Sequence, residues 1–103
     1  MIALLEHHRE QVAELCRRYH VAQLEVFGSA AEGEADADAR DIDLLVEFEP
    51  NHDLGPWMHD YFALRDELQA LFDRPVDLVM PGGMRNPYFL REVNRTRKLL
   101  YAA

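Results

Sequence analysis

Asp41 and Asp43 stand two residues apart in the run "DIDLLVEF". On an extended chain that spacing sends both side chains to one face, roughly 6–7 Å apart. Two carboxylates this close repel each other, and one of them holds its proton more tightly than usual. A divalent cation removes the repulsion, and hard oxygen ligands of this kind suit Mg²⁺. Asp77, in "PVDLV", alternates with Val76 and Leu78 in the same way, so a neighbouring strand can supply a third carboxylate. Such a group can hold two metal ions about 4 Å apart, activating an attacking oxygen and stabilising a leaving one.

Upstream, "EVFGS" places Gly28 and Ser29 where a short strand ends. A glycine there lets a phosphate approach the main chain, and the serine offers a hydroxyl and an N–H to its oxygens. A phosphate clamp beside a carboxylate–metal group points to a nucleoside triphosphate, and to phosphoryl or nucleotidyl transfer.

The elements that must position these residues follow from periodicity. Ile2, Leu5, Val12, Leu15, Cys16 and Tyr19 recur at helical spacing, giving one amphipathic helix over 2–19. "AQLEVFGS" is a strand, and 30–40 a loop with room for one helical turn. In the second strand, Ile42, Leu44, Val46 and Phe48 face the core, while Asp41, Asp43, Leu45 and Glu47 face away. "PNHDLGP" breaks the chain before a long helix over 56–73 carrying Trp57, Tyr61, Leu64, Leu68, Leu71 and Phe72. "RPVDLVM" is a third strand, 87–96 a short helix, and "RKLLYAA" a final edge strand or tail. This order gives an α/β (α+β) domain with a small mixed sheet, helices on one face and the carboxylates on the other.

The net charge of −8 is concentrated: residues 31–60 hold ten acids against Arg40 alone. Such a field disfavours direct contact with nucleic acid and favours cations or a basic partner. The 85–100 stretch is basic and can counter a triphosphate or form a solvated helix face. No apolar run approaches the roughly 18 residues needed to span a bilayer. The acidic, histidine-bearing start is unlike a signal peptide, so a cytoplasmic location without membrane contact is expected. Cys16, the single cysteine, reads as a packed thiol. The five histidines lack zinc spacing. Trp57, Tyr61 and Phe72 read as core, while Tyr88 and Phe89 are left to pack on the sheet or meet a partner.

Taken together, "FGSAAEG", "DIDLLVEF", "PVDLV" and "NPYFLREV…LLYA" resemble the minimal nucleotidyltransferases of the DNA polymerase β superfamily, in particular the MNT-type antitoxins paired with HEPN toxins. The likeness covers nearly the whole chain, so 1–103 is expected to be a single domain with the polymerase β-like fold. It implies that Asp41 and Asp43 bind metal, with Asp77 as third carboxylate and base. It also assigns the triphosphate to Gly28 and Ser29, with two Mg²⁺ ions and ATP as substrate. The implied activity is transfer of AMP to a tyrosine hydroxyl of a HEPN toxin, which neutralises it within a hetero-oligomer. Ala30 and Glu32 stand where family loops commonly carry arginines. Arg40, just before Asp41, or the basic C-terminal segment is then expected to supply the missing cation. The alternative is a weak or inactive relative that neutralises by binding alone, through its acidic face of Glu32, Glu34, Asp36 and Asp38. A third reading, transfer to a small molecule or an RNA end, meets the small size and the acidity of the chain.

Overall fold

The structure, a computed structural model, describes residues 1–33, 41–83 and 85–103. Arg40, Glu34, Asp36 and Asp38, assigned to the site and the acidic face from sequence, lie outside the described residues.

Helices α1 (Ala3–His7) and α2 (Arg9–Arg18) lead into β1 (Val21–Phe27) and a single turn, α3 (Ser29–Glu32). β2 (Ile42–Phe48), a 3₁₀ turn at Pro56–Met58 and α4 (His59–Phe72) follow. β3 (Val76–Val79), a second 3₁₀ turn at Pro81–Gly83, α5 (Pro87–Thr96) and β4 (Lys98–Ala102) complete the chain. The strands form one sheet in the order β3-β2-β1-β4, parallel between β2 and β3 and antiparallel elsewhere. This is the small mixed sheet expected from sequence, and the final segment, strand or tail by its sequence, is one of its edge strands.

Val12, Leu15 and Cys16 of α2 and Leu64, Leu68 and Phe72 of α4 bury their apolar stripes against Leu24, Val26, Leu44, Val46 and Leu78. Burial pushes the Cys16 thiol up to about 12, so it packs as a small hydrophobe. Among the described residues, no helix is long and apolar enough to cross a membrane.

Three local expectations are corrected. The helix expected over 2–19 is two helices. The ring Nδ1–H of His8 donates to the Leu4 carbonyl at 2.8 Å, occupying the acceptor that an unbroken helix would offer to the His8 N–H. That N–H turns to the Leu5 carbonyl instead, at 3.3 Å. The helix expected over 56–73 begins at His59, because Trp57 and Met58 both adopt left-handed backbone, with φ of 57° and 55°. Trp57 is therefore not core: its side chain is 94% exposed.

The third difference concerns layering. Helices α2 and α4 cover one face, but α5 lies on the other. Val93 of α5 packs with Phe27 and Leu45. Leu45 shares a face with Asp43 by alternation, and Phe27 sits directly opposite Asp43 in the ladder. The carboxylate face is thus roofed in part by α5.

Candidate functional site

The parallel β2/β3 ladder pairs Asp43 with Asp77, flanked by Ile42 opposite Val76 and Leu44 opposite Leu78. Those flanking residues are all buried in the main core, so both aspartates emerge on the opposite face. The register is fixed at its start by two bonds. The Ile42 N–H donates to the Pro75 carbonyl at 3.0 Å, and the Val76 N–H to Gln69 Oε1 at 3.0 Å. Asp41 lies one residue before β2, exposed, as is Asp77 on the edge strand, while Asp43 is half-buried between them. Burial pushes the Asp43 carboxyl up to about 6, and the charges of Asp77 and then Asp41 add to the shift. The three side chains singled out from sequence therefore feel one another across a single patch of sheet.

Among the described residues, no three His, Cys, Asp or Glu side chains are gathered into a ready-made cation cage. The donor set nonetheless fits a divalent cation. It is all hard carboxylate oxygen, and its central member carries a charge that burial and two like neighbours disfavour. A cation drawn to these oxygens relieves both costs.

Gly28 closes the other side of the patch. Its φ is 73°, and a Cβ placed there would lie 2.8 Å from Asp43 Oδ2, closer than any side chain tolerates. The positive φ itself favours glycine, and an added Cβ would in addition push the Asp43 carboxylate aside. The Gly28 carbonyl accepts the N–H groups of Ala31 (3.1 Å) and Glu32 (3.3 Å), which starts α3 at Ser29. From beneath, the Met1 ammonium donates to the Ala31 carbonyl at 2.7 Å and the Ile2 N–H to that of Ala30 at 2.9 Å. Ala30 itself is buried.

From above, α5 fastens the same corner. The Gly28 N–H donates to Thr96 Oγ1 at 2.9 Å, and the Thr96 hydroxyl donates to the Glu92 carbonyl at 3.0 Å. Arg97 grips Glu25 through Nε (2.9 Å) and Nη2 (2.5 Å), holding the Glu25 carboxyl below its usual range despite burial. Arg95 donates from Nη1 to Glu32 Oε1 at 3.0 Å, while its Nε and Nη2 bond Glu92. Phe89 sets its ring edge-on to Phe27, 5.8 Å between centroids, whereas Tyr88 is exposed beneath Arg91. Of that aromatic pair, Phe89 packs on the sheet and Tyr88 is free to meet other molecules. Arg95 and Arg97 belong to the basic stretch noted from sequence, but their partners were not foreseen, and Thr96 and Glu25 were not singled out at all. Their partners lie as far as 72 residues away, a separation that leaves no periodic trace.

The sequence matches the family described as nucleotidyltransferase domain over residues 8–100. It is 34% identical over 84 residues to protein adenylyltransferase MntA of Thermococcus cleftensis, covering 82% of this chain and 77% of that protein. Its fold superposes on a solved structure assigned as a minimal nucleotidyltransferase with a TM-score of 0.70 and 37% identity, covering 91% of this chain and 90% of that one. It is also similar in fold to a chain in a complex of tri-AMPylated Shewanella oneidensis HEPN toxin with MNT antitoxin. There the TM-score is 0.64 at 20% identity, with coverage of 96% and 73%.

Proposed function

The chain belongs to the nucleotidyltransferase domain family, and from that premise we propose that it is the antitoxin of a toxin–antitoxin pair. In this reading it is a protein adenylyltransferase that moves AMP from ATP to a tyrosine hydroxyl of a HEPN-type toxin. The relatives named above support the class of reaction and of partner. The single observation that carries it is the row of Asp41, Asp43 and Asp77 closing on Gly28, with Asp43 Oδ2 only 2.8 Å from where a Cβ would sit.

Asp41 and Asp43 would hold Mg²⁺, with Asp77 as the third ligand. Bound there as two ions, magnesium supplies neutralisation of the triphosphate and of the charge that develops during transfer. The chain's own residues do the remainder. Asp77, on the exposed edge strand, accepts the proton of the incoming tyrosine hydroxyl at its carboxylate. Gly28 and Ser29 line the triphosphate, and Arg40 is the cation assigned to it from the neighbouring segment. α5 roofs the patch over Phe27 and Leu45, limiting water near the α-phosphate. The tyrosyl oxygen attacks the α-phosphorus in line, the bond to the β-phosphate oxygen breaks, and pyrophosphate leaves.

The experiment is incubation with α-labelled ATP, Mg²⁺ and a HEPN-type toxin, sought first as a small helical protein with an Arg-x4-His motif encoded by a neighbouring gene. Label should move to the toxin, remain bound through a tyrosine, and disappear with Asp43→Ala. Toxin neutralised equally well by Asp43→Ala, with no label transferred, would replace this mechanism with inhibition by binding alone.

A further inference from the structure

At this corner the described part of the loop offers no cation: Ala30 is buried and Glu32 is acidic. The described carboxylates Asp41, Asp43, Asp77 and Glu32 leave it negative, and a triphosphate adds more charge of the same sign. Something cationic has to reach in. Arg97 is committed to Glu25, whose side chain is only 11% exposed. Arg95 is differently placed. The next residue, Thr96, is bonded to the Gly28 N–H at 2.9 Å, so the Arg95 main chain is anchored at the corner itself.

The guanidinium has two working edges. Nε and Nη2 bond Glu92, three residues back on the same helix, and keep the group oriented. Nη1 points the other way, to Glu32 Oε1 at 3.0 Å, the last residue of the turn that begins at Ser29. The Arg95 side chain is 56% exposed and that of Glu32 37%, and ion pairs of this kind are weak enough to exchange. A forked guanidinium matches phosphate oxygens better than a single carboxylate oxygen at its tip.

We propose that Arg95 is a second triphosphate-binding cation of this site beside Arg40, resting on Glu32 until nucleotide displaces that carboxylate, with Glu92 aiming it throughout. The assignment rests on the nucleotidyltransferase reading above and adds to it a residue from outside the loop. Glu32 is then a competitor for the arginine, not a ligand.

Titration calorimetry of the full chain with ATP and Mg²⁺ tests this with three variants, each also checked for its thermal midpoint. Arg95→Ala should weaken ATP by about tenfold or more, and Arg95→Lys should restore part of the loss. Glu32→Ala should tighten ATP by about two- to fivefold, because it frees the arginine. Opposite signs are the signature. If the pair merely braces the corner, both alanine variants shift affinity the same way in step with their midpoints, and the proposal is overturned. Unchanged affinity in Arg95→Ala overturns it too, and leaves Arg40 as the cation. A wild-type chain that binds no ATP overturns the nucleotide reading itself, and this assignment with it.

Discussion

Asp43→Asn should make the fold more stable at neutral pH in the absence of divalent metal. The Asp43 carboxyl is raised from 3.8 to about 6, by burial first and then by Asp77 and Asp41. At 1.36 kcal/mol per pH unit, that displacement corresponds to about 3 kcal/mol of cost to the charged form. The site is open on the edge-strand side, so solvent screening reduces the figure to about 1–2 kcal/mol. The sign follows from proton counting. Between 3.8 and about 6 the folded chain holds more protons on this group than the unfolded chain does. Stability therefore falls as pH rises through that window and stays low above it. Asparagine carries no such charge, so variant and wild type should differ little through this group near pH 3.5 and diverge to a plateau above pH 6.5. For a domain of this size the plateau corresponds to roughly 5–10 °C in thermal midpoint. The assay is thermal or urea unfolding in chelator across pH 3.5–8, repeated with millimolar Mg²⁺. Magnesium should raise the wild type and leave the variant largely unmoved, closing the gap. A variant that is less stable than wild type at pH 7.5, or a gap independent of pH, would refute the account of three charges crowded on one patch.

Gly28→Ala should cost about 1–2 kcal/mol from the left-handed φ alone, and more from the 2.8 Å approach to Asp43. The check is a urea midpoint, and adding Asp43→Ala should recover part of the loss. Glu25→Gln should lower stability by about 1–2 kcal/mol at pH 7, since Arg97 remains without its ionised partner. Because the Glu25 carboxyl is held below its usual range, that difference is fully present above the unfolded value and should shrink as acid titrates the folded pair. Chemical unfolding at pH 7 and pH 3 reads it. Trp57→Asn removes an exposed ring from a backbone at φ 57°, where asparagine is better tolerated. It should leave stability within about 1 kcal/mol of wild type or slightly above, and a larger loss by calorimetry would mean that the tryptophan supports the fold.

The parts of the site that repeat with period two were legible before any coordinates. Asp41, Asp43 and Asp77 share a face because Ile42, Leu44, Val76 and Leu78 must be buried, and a strand leaves no other arrangement. Gly28 was legible as a strand end, but the carboxylate oxygen crowding its Cβ position was not, since that contact crosses the sheet. The helix α5 could be placed along the chain from its periodicity, yet nothing in "NRTRK" says that Thr96 will bond a main-chain N–H 68 residues away. Trp57 was misread for an instructive reason. Its spacing from Tyr61 and Leu64 is helical, and periodicity outweighed the break signalled by Gly55 and Pro56, although two left-handed residues follow at once. In the first helix the periodicity was sound and its continuity was not, because a side chain, His8, took a main-chain acceptor.

The pairing of Asp43 with Asp77 also governs which lengths of chain this molecule can accommodate. Only Asp73, Arg74 and Pro75 separate α4 from β3, and adding or deleting one residue there would slide the rung so that Val76 or Leu78 faced the carboxylate patch. The connection over 49–55, at the opposite end of β2, does not set that rung; it is held instead by His52, which bonds Asp60 Oδ2 at 2.9 Å and stacks on His20. Relatives that keep this chemistry should therefore hold the three-residue connection before β3 to a fixed count.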